Sequence, residues 1–163
     1  KNYFEITPYR GGLLENLPEF DLEELVISYL QIKENYYVLS NSIANKSTSI
    51  KIECEMLSRD IHNPRKAVVQ VKGKKANELD ALEFEQYVDD GYLVYLYAPK
   101  IINLDQIENI IQVEDSDLLT FYEENKSILP ASITQWEDLF VGKYILECKL
   151  TRNLYTNDKH TEY

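Results

Sequence analysis

Residues 50–73 constrain this chain more than any other stretch. They read Ile-Lys-Ile-Glu-Cys-Glu-Met, then a polar turn around Asn63-Pro64, then Lys-Ala-Val-Val-Gln-Val-Lys-Gly. Apolar residues alternate in both arms, and a period of two is the signature of a β-strand. In 50–56, Ile50, Ile52, Cys54 and Met56 share one face, leaving Lys51, Glu53 and Glu55 on the other. In the second arm Ala67, Val69 and Val71 share one face, and Val68, Gln70 and Lys72 the other. The turn-rich run 58–65 is short enough to make the pair an antiparallel hairpin. The hairpin then collects two carboxylates, an amide and a lysine on one polar face.

The rest of the chain must cover that hairpin. At 163 residues it suffices for one domain with a real core. Residues 20–30 carry a helical stripe, Leu22, Leu25, Val26, Tyr29 and Leu30. Asp21 and Glu24 have capping-box spacing, and Phe20 and Leu25 that of a hydrophobic staple. Residues 36–40 read as a short strand. Asn77 stands where it could cap a helix over 78–89, closed by Gly91. Residues 92–97 (Tyr-Leu-Val-Tyr-Leu-Tyr) are continuously apolar and aromatic, as in a strand buried on both faces. Residues 1–17, broken by Gly11-Gly12, read as a peripheral arm. Residues 101–113 fit strand or connection, and 117–126 a helix. Ser132 and Gln135 open a further helix, 143–150 form a last strand, and 151–163 a polar tail. The order is α–β–β–β–α–β followed by a C-terminal extension, and the expected fold is mixed α/β (α+β), with a mixed central sheet flanked by helices.

The net charge is −11, which argues against a surface given over mainly to nucleic acid. Its distribution is uneven. Residues 1–100 hold 12 Lys/Arg against 16 Asp/Glu, and residues 101–163 hold 5 against 12. From Arg59 to Lys75 the balance reverses: six basic residues (Arg59, Arg65, Lys66, Lys72, Lys74, Lys75) face one acid, Asp60. This run is the natural place for an anionic ligand. The two cysteines, Cys54 and Cys148, sit in apolar runs without partner spacing, which points to a reducing, cytoplasmic compartment. No apolar run reaches the ~18 residues of a membrane span, so no membrane partner is expected. His62 falls in a turn and His160 in the tail. There is no Gly-rich phosphate loop, zinc ligand set or Ser/His/Asp arrangement.

A helix with Leu22-Glu23-Glu24-Leu25-Val26, a strand with Ile52-Glu53-Cys54-Glu55, and a strand ending Val69-Gln70-Val71-Lys72-Gly73, followed by a helix and an apolar strand, resembles the PD-(D/E)XK nuclease superfamily. The likeness is to its Mrr-like, restriction-endonuclease-like branch, in which Gln often replaces the acid of the E-x-K motif, and it covers roughly residues 21–99. It implies a nuclease core over 18–100 with residues 101–163 packed on it as a largely helical extension. It also implies Mg²⁺- or Mn²⁺-dependent hydrolysis of phosphodiester bonds, in DNA first of all. Glu53 or Glu55 would supply the metal-binding carboxylate, with the Gln70 side-chain oxygen and the Val71 carbonyl beside it. Lys72 would position the attacking water or neutralise developing charge, and Glu23 would assist from the helix. Arg59, Arg65, Lys66, Lys74 and Lys75 would meet the nucleic-acid backbone. Glu at the first acidic position departs from the commoner Asp, and an amide binds a dication more weakly than a carboxylate. A catalytically silent binding module on the same fold is therefore the alternative. Leu146-Glu147-Cys148-Lys149 is a literal E-x-K, but too little chain follows it for the helix and strand the family requires. Whether the extension binds substrate, serves a homodimer or joins a further domain of a longer chain stays open at this level.

Overall fold

The computed structural model of the chain describes residues 7–39 and 52–135. Several expectations lie outside those residues. They are Ile50 and Lys51 of the first central arm, the helix beyond Gln135 with Trp136, the 143–150 strand with Glu147, Cys148 and Lys149, and the tail with His160.

The hairpin forms and becomes the middle of a five-stranded sheet. Its strands are β1 (Tyr36–Val38), β2 (Cys54–Ser58), β3 (Lys66–Val71), β5 (Leu93–Tyr97) and β7 (Ile110–Gln112), in that spatial order. β1, β2 and β3 pair antiparallel, with Met56 opposite Val38 on one side and Ala67 on the other. β3, β5 and β7 run parallel, Val71 beside Tyr97 and Leu96 beside Gln112. Parallel neighbours need crossovers. The first crossover holds β4 (Leu79–Asp80), a 3₁₀ turn (Ala81–Phe84) and the short helix α3 (Glu85–Asp89). The second holds β6 (Ile101–Ile102), which pairs with β4 as a two-stranded parallel sheet. Helices α1 (Thr7–Asn16), α2 (Glu19–Ile32) and α4 (Asp115–Asn125) complete the fold.

The two sheet faces carry separate cores. Ala67, Val69 and Val71 pack with Leu13, Leu14, Leu22, Leu25, Phe121 and Tyr122 from α1, α2 and α4. Val68, Val94 and Leu96 pack with Leu79, Ala81, Phe84 and Ala98 of the crossovers. β3 and β5 are thus covered on both sides, as the apolar run at 92–97 predicts. The second face of β3 is not the open polar surface expected from alternation, because the crossover lies over it: Gln70 is only 4% exposed. Across the described residues the fold is mixed α/β. Among the described residues no helix is long and apolar enough to cross a membrane.

Four local expectations change. Residues 7–16 are a helix rather than an arm, despite Gly11-Gly12. Each glycine costs about 1 kcal/mol in a helix, but burial of Leu13 and Leu14 contributes about 2 kcal/mol apiece. α2 begins three residues earlier than the capping-box spacing suggests. Pro18 is its N-cap, with no side-chain cap bond, and Pro18 O accepts Leu22 N–H at 3.0 Å. Phe20 is then turned outward, 80% exposed, and makes no staple. The 78–89 helix is split, because Leu79 and Asp80 pair with β6 and the Asp80 carboxylate accepts from Leu82 N–H at 3.0 Å, starting the turn there. Finally, Ile52 packs on the opposite core from Cys54 and Met56. Glu53 N–H donates to Val69 O at 2.7 Å although Cys54 is the register partner of Val69, so two residues oppose one. This bulge breaks the alternation that placed Glu53 and Glu55 on one face.

Candidate functional site

The carboxyl ends of β3, β5 and β7 point the same way, and in open α/β sheets ligands bind beyond such ends. Lys72 leaves β3 there, its N–H donating to Tyr97 O at 2.8 Å and extending the ladder by one residue. Lys72, Gly73, Lys74 and Lys75 then form one wall of a cleft of about 620 Å³. Glu15, Asn16, Pro18 and Glu19, from the α1–α2 junction, form the other wall. The walls are close: a Cβ on Gly73 would stand 4.0 Å from Cβ and Cγ of Glu19. Glu23 is one helical turn beyond Glu19 on the same side of α2 and is half-buried. Among the described residues Lys72 and Lys75 form no ion pair, whereas Lys33, Lys74, Lys100 and Lys126 all do.

One pleat below Lys72 lies Gln70. Its Oε1 is buried and has no hydrogen-bond partner among the described residues. An amide oxygen left so costs about 1–3 kcal/mol, and a fold that keeps one holds a polar atom in reserve. The bulge sets the Glu53 backbone against Val69, directly beside Gln70 on the neighbouring strand, and Glu53 Oε2 is buried as well. Glu55 goes elsewhere. It stands opposite Val68, and its Oε1 accepts the Tyr92 hydroxyl at 3.0 Å, near the amino end of β5. The Val71 side chain is fully buried in the helical core. Of the two acids, Glu53 is therefore the one whose strand position adjoins Gln70 and Lys72.

Among the described residues no three His, Cys, Asp or Glu side chains gather as a metal-holding group. The donors offered from neighbouring backbone positions of β2 and β3 are the Glu53 carboxylate and the Gln70 amide oxygen. Both are hard ligands of the kind Mg²⁺ and Mn²⁺ accept, and such ions commonly complete their shell with water and substrate phosphate. The chemistry of the donor set fits such a cation, with a low protein charge around it.

The basic run divides between the two ends of β3. Lys74 is already engaged: Nζ lies 2.9 and 2.7 Å from the two Asp115 oxygens and 5.3 Å from the Tyr97 ring centroid. The Tyr97 hydroxyl donates to Asp115 Oδ1 at 2.6 Å. Lys74 therefore ties the β3 exit to the start of α4, and Lys75 is the exposed cation at this end. Arg59, Arg65 and Lys66 are exposed at the hairpin end, beside His62, whose exposed turn is held by an Asp60 side-chain bond at 2.9 Å. Glu15, Glu19, Tyr97 and Asp115 carry no motif of their own. Reading 7–16 as a helix would bring Glu15 and Glu19 to the ends of one Leu17-Pro18 junction, the only sequence signal for them.

Burial, the Asp115 hydrogen bond, and the charges of Asp115 and Glu15 all push the Tyr97 hydroxyl far above its usual titration range. Burial and the Tyr36 hydroxyl do the same to Tyr95, and burial with Asp117 and Glu34 pushes Tyr29 up to about 12. These phenols bind their protons more tightly folded than unfolded. Their contribution is complete below the unfolded value of about 10 and declines above it, by up to ~1.4 kcal/mol per pH unit for each of the buried Tyr95 and Tyr97, and by less for Tyr29, which solvent screens. The melting temperature should fall steeply between pH 10 and 11.5, and Tyr97→Phe should start lower but fall less steeply. A melting temperature flat to pH 11.5 would contradict the assignment.

Comparison with protein-family models, with curated proteins and with solved structures yields no match.

Proposed function

We propose that this chain is a metal-dependent nuclease domain of the PD-(D/E)XK type, with a Gln-x-Lys motif, that hydrolyses phosphodiester bonds in DNA. The observation that carries the reading is the buried Gln70 oxygen, without a hydrogen-bond partner among the described residues, two residues before Lys72, which lines a cleft. The element order gives further support: α2, the β1–β2–β3 meander, then a helical crossover to parallel β5. In this reading residues 18–100 are a restriction-endonuclease-like core and 101–163 an extension packed on it. The domain works in the cytoplasm, as a homodimer or as part of a longer chain.

Glu53 and the Gln70 oxygen would hold Mg²⁺ or Mn²⁺, with the Val71 carbonyl as the next oxygen along the strand. When bound, the cation would lower the pKa of its water and offset charge on the phosphate. Lys72 would orient the attacking water or neutralise the oxygens of the reacting phosphate from the cleft wall. Glu19 lines the opposite wall of the cleft and would orient water there, whereas Glu23, one turn further along α2, lies on the helical face of the sheet, across β3 from Gln70. A second reading, a silent module that binds without cutting, is favoured by one specific observation. Glu55 is committed to Tyr92, so the site offers one strand carboxylate and an amide where two carboxylates would bind better.

Gln70→Leu separates function from packing. Removing an unsatisfied buried amide should raise stability by about 1 kcal/mol or more without metal. The same change should abolish stabilisation by Mn²⁺, which for the wild type should reach ~1.4 kcal/mol at ten times Kd. Glu53→Gln should also remove the metal gain. Thermal melts with Mg²⁺ or Mn²⁺, alone and with a cleavage-resistant duplex, provide the check. No metal-dependent shift in either condition would leave the silent module standing.

A further inference from the structure

The cleft at the other end of β3 is built differently from its surroundings. It encloses about 480 Å³ beneath the β2–β3 hairpin, and Arg65, Lys66, Tyr92, Gly91 and Asn109 line it with no carboxylate among its lining residues. That is unusual in a chain of net charge −11. Lys66 is positioned rather than loose: its Nζ stands 4.4 Å above the centroid of Tyr92, and the Tyr92 hydroxyl is anchored on Glu55 at 3.0 Å. A cation over a ring keeps its charge and its donors while giving up conformational freedom. Two carboxylates, Glu55 and Asp90, act on the Tyr92 hydroxyl, and neither is among the lining residues of the cleft. Among the described residues neither Arg65 nor Lys66 forms an ion pair. Gly91, at φ +90°, brings backbone without a side chain to the lip, 3.7 Å from Lys66 Cε at its would-be Cβ.

We propose that the Arg65–Lys66–Tyr92 cleft is a phosphate-binding site separate from the Lys72 cleft, and that its ligand is a backbone phosphate of a polynucleotide spanning both. The phosphate chemistry stands on this cleft alone. The polynucleotide as its carrier rests on the nuclease reading. Lys66 and Lys72 are six residues apart on one strand, roughly 20 Å at 3.3 Å per residue. Duplex DNA advances about 3.4 Å per base pair, and because β3 is covered on both faces the duplex must pass over the surface, so both clefts are filled only by duplexes well above about six base pairs. A mononucleotide or short oligonucleotide fills one. Lys74, tied to Asp115, contributes to neither count.

The test is binding in EDTA, where no cleavage occurs, so that the result stands apart from activity. Fluorescence anisotropy would follow labelled duplexes of 4 to 16 base pairs on wild-type protein and on the Arg65→Ala/Lys66→Ala double variant, whose changes are both on exposed residues. Affinity should step up roughly ten-fold at a length above about six base pairs and within the range tested, and the double variant should lose the step. Its salt slope on long duplexes should fall by roughly 2. In parallel, inorganic phosphate should shift the Lys66 and Tyr92 amide resonances saturably, and not in the variant. Equal affinity and equal salt slope for the two proteins at every length would overturn the proposal. Resonance shifts with inorganic phosphate but no length step would overturn the polynucleotide assignment.

Discussion

Val71→Asp is expected to leave no cooperatively folded protein at 25 °C. Val71 is fully buried at the end of the central strand, among Leu17, Leu22 and Tyr97 in the core that α1 and α2 cover. An unpaired carboxylate there costs several kcal/mol even after partial relaxation. Loss of the valine burial removes about 2 kcal/mol more. Against a typical total stability of about 5–15 kcal/mol, the sum exhausts most or all of what a domain of this size has. Far-UV circular dichroism and a thermal melt would check it. A soluble Val71→Asp protein with a sharp transition would mean that this core is not where the fold draws its stability.

Lys72→Ala should do the reverse, sparing the fold and removing the chemistry. Only the Lys72 N–H is built into the sheet, through Tyr97 O, and alanine keeps that bond. The side chain is half-buried at a cleft wall and, among the described residues, forms no ion pair. Substitutions of this kind usually change stability by no more than about 0.5 kcal/mol. Loss of one pre-organised donor at a developing negative charge typically costs 10²–10³-fold in rate. Melting temperature nearly unchanged with cleavage reduced by at least about 100-fold is the expected pair of results.

How far the sequence reveals this fold depends on where local pattern and tertiary packing agree. α2, β3, β5 and α4 are legible because their apolar periods match the surfaces they cover. The alternation of Ala67, Val69 and Val71 places them on one core, where they are found. The 7–16 helix is hidden by Gly11-Gly12, since its formation depends on Leu13 and Leu14 meeting partners over a hundred residues away. The bulge at Glu53 is equally invisible: nothing in Ile-Glu-Cys-Glu announces that two residues will oppose Val69. The candidate site was legible as a residue list and not as a geometry. Gln70, Lys72 and the Glu53 backbone fall near one end of β3, while Glu55 is drawn towards Tyr92 at the other by a contact 37 residues away in sequence. The basic run 59–75 looks continuous along the chain, but the strand inside it carries its charges to opposite ends of the sheet.

The central claim, that the Gln70–Lys72 end of β3 cuts nucleic acid, is tested most directly by nicking of supercoiled plasmid in Mn²⁺ or Mg²⁺. Wild-type protein should convert supercoiled to open-circular DNA only when the metal is present and not in EDTA. Folded Lys72→Ala protein at the same concentration should leave the plasmid supercoiled. No nicking by the wild type in either metal, or equal metal-dependent nicking by both proteins, would contradict the account.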